Sequence, residues 1–472
     1  MKLKITKILH WKNENTQFLY NFLSTAIRSG IAFLTMPIFT RLLGAEQYGK
    51  YSLYISWLTI CTCFMGLQVS GLGTGIYQFK QDYKKLRSSI LVEGTVASFA
   101  LIGIAIVFLK PLSHVLGFPQ VFTIVMLVEA FAQFIINFAS SAWIYEKKAS
   151  YNMVSSLTVL FSTTLLSVTL LLAFRDRLSD LYYARVWGTA VPQILIAVFI
   201  WIFIFNEEKF GYKKEYWLYG LHFGLPMIFH TLSHQVLIQS DRVMMQKFSI
   251  SDSEIGVYSF FYTFTAVLST ILSALNNSWV PFLYEFLNQK EYNKLNQKVN
   301  HYVQLFTMIV CGFLLLSREV VKIFANSEYW IGMPLIPFLS LVIYFTFLYQ
   351  FPVNYEFFHK KPGVTAGGTT ITALVNICLN WLLIPKYGMY GAVIATLISY
   401  MILALMHIAI VKSWKQVPYP ITGIPMIKGL GEIIFICILY YVLADYWFIR
   451  WMLGAIIGVY LLLTIKKRKT IF

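Results

Sequence analysis

Along this chain, apolar runs of roughly twenty residues alternate with short polar loops, and the alternation repeats some fourteen times. A bilayer core about 30 Å thick takes about 20 apolar residues of helix to cross. Backbone polar groups inside lipid must be satisfied within the crossing segment or in a closed barrel, and these runs lack the residue-by-residue alternation of a barrel strand. The pattern therefore predicts an all-α polytopic membrane protein. Spans fall at 18–39, 51–71, 89–109, 121–141, 154–174, 184–205, 218–240, 256–276, 302–316, 333–351, 364–384, 391–411, 421–441 and 446–463. The ninth is short, and Val320 to Ala325 beyond it reads as an interfacial or re-entrant piece.

Composition agrees. Of 472 residues, 58% are hydrophobic, 17% aromatic and 12% charged, with a mean hydropathy of +0.64, outside the range of soluble domains. Among the 38 Lys and Arg, 24 fall in alternate loops starting from the N-terminus and 12 in the intervening loops or the span ends beside them, leaving Arg28 and Lys428 within spans. Cationic residues resist translocation, so both termini are expected in the cytoplasm. The net charge of +17 is then topology and an anionic inner leaflet. No basic face stands apart from the membrane, so nucleic acid is not an expected partner; membrane lipids are. The five cysteines all fall in spans and act as small apolar side chains, so neither disulfides nor a structural metal is expected, and no cofactor is implied. Met1 to Asn15 carry lysines without the apolar core and small-residue cleavage site of a signal peptide, so no cleaved signal peptide is expected.

The chain also repeats itself. Tyr48-Gly49-Lys50-Tyr51-Ser52, opening the second span, returns as Ile255-Gly256-Val257-Tyr258-Ser259, opening the eighth, at an offset of 207 residues. Six spans separate the copies, so the halves are parallel repeats, the plan of an alternating-access transporter. The expected organisation is a basic N-terminus (1–17), a six-helix lobe (18–205), a linker (206–217), a pseudo-symmetric second lobe (218–411), two further helices (421–463) and a basic tail (464–472).

Four stretches taken in order, Met36-Pro37-Ile38-Phe39-Thr40-Arg41-Leu42-Leu43-Gly44-Ala45-Glu46-Gln47-Tyr48-Gly49, Asp241-Arg242-Val243-Met244-Met245, Asn277-Ser278-Trp279-Val280-Pro281-Phe282 and Ile384-Pro385-Lys386-Tyr387-Gly388, resemble the Wzx-type polysaccharide flippases of the multidrug/oligosaccharidyl-lipid/polysaccharide exporter superfamily. The resemblance covers about 18–411. It implies export of an undecaprenyl-diphosphate-linked oligosaccharide repeat unit across the membrane for capsule, exopolysaccharide or O-antigen synthesis, alongside a polymerase and assembly proteins, and no enzymatic activity. Lipid II flippases of the same superfamily carry an Arg-Asp pair on helix one where this chain has Leu34-Thr35, a departure from their pattern.

Charges inside the bilayer are costly and mark function by default. Arg28 lies mid-helix in span one, and Asn21, Ser24, Thr25, Arg28 and Thr35 share about a third of the helix circumference at 100° per residue. Given the resemblance, Arg28 with Asn21 and Thr25 is expected to meet the substrate diphosphate through a planar fork of donors, the alternative being an Arg that pairs with an acid to hold the bundle. Arg41, Arg242 and Lys247 add basic side chains at the outer ends of helices one and seven. On helix seven, His230, His234 and Asp241 line up within about 40°, a candidate for coupling to a proton or sodium gradient; a metal would need a third ligand that the stripe lacks. Asp241 and Arg242 are expected to pair as an outer gate. Glu129 in span four is expected to neutralise Arg28 or to bind a coupling cation, Glu93 to reach water near a membrane face, and Lys428 to pair with Glu432 four residues on. Competing functions are a cation-coupled multidrug antiporter, a lipid II flippase and an integral-membrane glycan polymerase; the last usually carries a large outer loop, and none is present here.

Overall fold

The computed structural model describes residues 14–68, 71–414 and 419–468, with the backbone alone described at 14–19, 21–26, 28, 29, 32, 230 and 468. The described chain is helical throughout, without strands. Fourteen long helices run through it: α1 (14–43), α2 (45–62), α3 (Tyr83–Val107), α4 (Gln120–Tyr145), α5 (Ala149–Phe174), α6 (Tyr182–Glu207), α7 (Lys214–Lys247), α8 (Asp252–Gln289), α9 (Tyr292–Phe324), α10 (Leu335–Phe358), α11 (362–387), α12 (389–413), α13 (Ile424–Val442) and α14 (Trp447–Arg468). Each overlaps one of the spans read from the sequence. α1 and α2 form one continuous helix but for Gly44 (φ 68°), and α11 and α12 one but for Gly388 (φ 53°, ψ −130°). Both angles lie where a Cβ is strained, so glycine sets the two corners.

One local expectation needs correction. Val320 to Phe324 are not re-entrant: they complete α9, whose buried residues Val310, Leu314 and Val321 keep helical spacing to its end, and a 3₁₀ turn, Ser327–Gly332, follows. Ala325, just past the helix end, is buried as well. The Gly71-Leu72-Gly73-Thr74-Gly75 run is a helix break: Gly71 takes φ 90° ahead of a short helix, Leu72–Gln78, and a methyl group on Gly73 would lie 2.7 Å from the Tyr145 ring.

The chain packs as two compact units, one comprising residues up to Leu43 together with Lys50–Val243, the other Gly44–Gly49 and Met244–Phe472. Lipid offers no hydrophobic force between helices, so close approach rests on small residues. In the first unit, Gly188 of α6 leaves room for the backbone of Ser167 on α5. In the second, Gly429 of α13 leaves room for the hydroxyls of Thr307 on α9 and Tyr344 on α10.

The repeated motif supplies the tightest approach in the second unit. A methyl group on Gly49 would overlap the carbonyl of Asp252, and one on Gly256 would overlap the carbonyl of Ala45. The contacts are reciprocal: 45 stands to 252 as 49 stands to 256, at the offset of the repeat. Beside them Ser251 accepts from the amide of Glu254, the first half of a capping box for α8. The Glu254 carboxylate turns elsewhere and accepts the amide of Met389 at 2.6 Å, capping α12 just after the Gly388 corner.

Candidate functional site

Buried polar groups gather in three places within the units. The first lies among α1, α2, α4 and α6 of the first unit. Glu129 of α4 is fully buried; its Oε2 accepts from the Tyr54 hydroxyl at 2.7 Å and its Oε1 from the Gln193 amide at 2.8 Å. Nearby on α6, the Arg185 guanidinium lies over the Phe39 ring, 3.0 Å from its centroid, and 4.9 Å from that of Tyr51. Cation–π stacking is worth most where water is excluded, and it leaves the edge of the guanidinium for hydrogen bonds. At the same end, Lys50 binds Asp180 at 2.8 Å, tying α2 to the start of α6.

The second is an ionic knot where α3, α4 and α6 meet. Arg87, wholly buried, reaches Glu146 and Glu207 at 2.5 Å each, and Lys148 closes the set against Glu146 at 2.6 Å and Glu207 at 3.6 Å. Two carboxylates and two cations balance, and this balance is what makes burial of Arg87 tolerable.

The third lies in the second unit. Glu356 of α10 and His407 of α12 are both fully buried and joined, Nδ1 to Oε1, at 2.6 Å; Thr365 of α11 donates to Oε2 at 2.6 Å. Farther along α11, Asn380 donates to Asn376 at 3.0 Å, and both are fully buried.

The residues singled out in the sequence divide. The side chains of Arg28, Asn21, Thr25 and His230 lie outside the described residues, as does Ser24; their backbones are helical. Glu129 is held by Tyr54 and Gln193. Asp241 is fully buried while His234 is exposed. Arg242, also buried, turns back along α7 to the Ile238 carbonyl and the Gln239 side chain, at 3.2 Å each. Arg41 is exposed, and so is Lys247, whose ammonium lies 5.2 Å from the centre of the Trp381 ring.

Two minor expectations need correction. Glu93 does not reach water: it is 3% exposed, with its Oε2 facing Gly220 of α7, whose missing side chain lets the helices close over the carboxylate. No ion pair joins Lys428 to Glu432 among the described residues; both line a cavity of about 70 Å³ with Asn300, Gln304 and Thr307. Sequence reasoning also missed Arg185, Glu356 and His407. Arg185 sits one residue inside a span edge and was counted with the outer loop. Glu356 lies five residues past the end read for span ten, in what looked like loop, and a lone histidine in span twelve carried no spacing signal.

The three clusters are built on buried polar side chains. What they offer is buried charge, fixed hydrogen-bond donors and one imidazole. The sequence profile of the polysaccharide biosynthesis protein family matches residues 16–287. Among proteins similar in sequence, Lsg locus putative protein 1 of Haemophilus influenzae is 25% identical over 360 residues, covering 74% of this chain and 85% of that protein. A probable low-salt glycan biosynthesis flippase of Haloferax volcanii is 20% identical over 411 residues, covering 84% of this chain and 83% of its own. In structure, the chain resembles a lipid II flippase in an inward closed conformation, with a TM-score of 0.72 at 15% identity, over 97% of this chain and 99% of the other. A multidrug resistance transporter in an inward-facing conformation matches with a TM-score of 0.59 at 16% identity, over 89% and 95%. At these identities the two structures speak for the fold.

Proposed function

The chain belongs to the polysaccharide biosynthesis protein family, and from that premise we propose that it is a flippase carrying an undecaprenyl-diphosphate-linked oligosaccharide repeat unit from the inner to the outer leaflet by alternating access. The observation that carries the reading is the family match over residues 16–287, on a fold shared along nearly the whole chain with a lipid II flippase. In this reading both termini are cytoplasmic. The diphosphate meets Arg28, with Asn21 and Thr25 on the same helical stripe, because a guanidinium offers paired donors to phosphate oxygens. Arg41, Arg242 and Lys247 receive the headgroup farther along, and Asp241, Glu129, His230 and His234 serve gating or coupling. The prenyl tail stays in lipid, so the protein moves only the polar part through its interior.

The test is a deletion strain. Lipid-linked repeat units should accumulate, and should be reachable by a glycan-specific probe only from the cytoplasmic side of inverted vesicles. Units reachable from the outer face in the deletion strain would end the proposal. Unchanged surface glycan together with new drug sensitivity would favour the antiporter reading that the 0.59 fold likeness to a multidrug transporter supports.

A further inference from the structure

We propose that Glu356 and His407 form a proton-binding site in the second unit, which takes up and releases one proton per transport cycle. The inference rests on the flippase reading for the word transport, but not for the site. Both residues are fully buried between α10 and α12, at a depth where a charge persists only with a partner. Replacing a buried ion pair with apolar residues is often neutral or stabilising, so stability alone gives little reason to keep one there.

The hydrogen bonds say where a proton can go. Oε1 takes the His407 Nδ1 contact and Oε2 takes the Thr365 hydroxyl, so the carboxylate is fully engaged. With its proton on Nδ1, the ring carries its free lone pair on Nε2. That nitrogen is buried and has no hydrogen-bond partner. An imidazole oriented by a carboxylate through one nitrogen, with no hydrogen-bond partner at the other, is the arrangement of a proton carrier. Adding a proton at Nε2 takes the pair from one net negative charge to an ion pair of no net charge, whose two members attract strongly in a low-dielectric setting. Space at Nε2 is kept by Gly368 of α11: a Cβ there would collide with it.

Other polar and ionisable groups face the pair from each element packed against it. From α10, Tyr349 sets its ring edge-on to the imidazole, 5.2 Å between centroids. α11 contributes Thr365 and Thr369, and α8 meets α10 nearby through Asn276, to which Asn354 donates. From the segment after α12, the buried Tyr419 phenol is held protonated by desolvation. Toward the loop, His359 is pushed down by burial and by the charge of Lys361.

The experiment uses the full-length protein in liposomes and pH-jump infrared difference spectra, which read protonation with no substrate present. The wild type should show an imidazole ring band that is lost in His407→Gln and lost or displaced in Glu356→Gln. Gly368→Ala, which keeps both titrating groups, should displace it. Flipping of a fluorescent diphosphate-linked lipid should change by up to about tenfold per pH unit where the site empties, and this dependence should flatten in Glu356→Gln. A band that survives both Gln variants overturns the site, as does a wild-type rate that follows sodium at fixed pH and ignores pH. Absence of flipping by the wild type with the band intact would overturn the flippase reading and leave the site standing.

Discussion

At the scale of single residues, Arg28 and Glu129 are tested together. Glu129 is a carboxylate in span four whose oxygens accept from Tyr54 and Gln193, and the substrate-binding reading gives Arg28 a role apart from it. On that reading, Arg28→Ala should abolish surface polysaccharide at near-normal protein abundance, Arg28→Lys should restore part of it, and adding Glu129→Gln to Arg28→Ala should restore none, all read at matched expression; rescue by the double change would make Arg28 a partner of Glu129. Arg87 is the opposite kind of residue. Its removal leaves Glu146 and Glu207 with Lys148 alone, and Arg87→Met should cost about 3–5 kcal/mol in a reversible unfolding assay in detergent. The sequence made Glu129 and Arg28 visible because a charge amid twenty apolar residues stands out. It hid Arg87, Arg185 and Glu356, because at a span edge a buried charge and a solvated one are written with the same letter. Histidine is harder still, since nothing about His407 separates it from its neighbours until α10 places a carboxylate beside it.

Among the elements, the helices were legible as elements, because the length of an apolar run is fixed by the bilayer and reports itself, while several ends were not: α8 runs on to Gln289 and α9 from Tyr292 to Phe324, well past their apolar runs. Corners were not legible either. Gly44 and Gly388 join helices that the apolar pattern separates, so each pair reads as two spans with a loop while the chain turns within one residue. The cap from Glu254 to Met389 was also beyond reach, since it links positions 135 apart. Gly388→Ala combines a strained φ with a clash against the Glu254 carboxylate and should reduce folded protein severely. Glu254→Gln keeps an acceptor and loses only the charge, and should cost about 1 kcal/mol. Fluorescence-detected gel filtration of the two variants at rising temperature separates these outcomes.

For the whole molecule, the charge count predicts orientation: reporters at Lys2 and Phe472 should both face the cytoplasm and one after Arg177 the outside, and an external reporter at Phe472 would remove the fourteen-span topology. The repeat yields more than orientation. Because Gly49 meets the strand of backbone that carries Gly256, and Gly256 the one that carries Gly49, exchanging the two copies maps the contact onto itself, as in the interface of a symmetric dimer. Chains cut in the 208–213 loop and co-expressed should reassemble and restore surface polysaccharide, and Gly49→Leu in one fragment or Gly256→Leu in the other should prevent it. The ancestry this suggests is a half-length polypeptide that met its own twin. Held in one chain, two such copies meet at roughly millimolar effective concentration, where free halves would depend on their own abundance, and each carries a glycine against which the other's backbone rests.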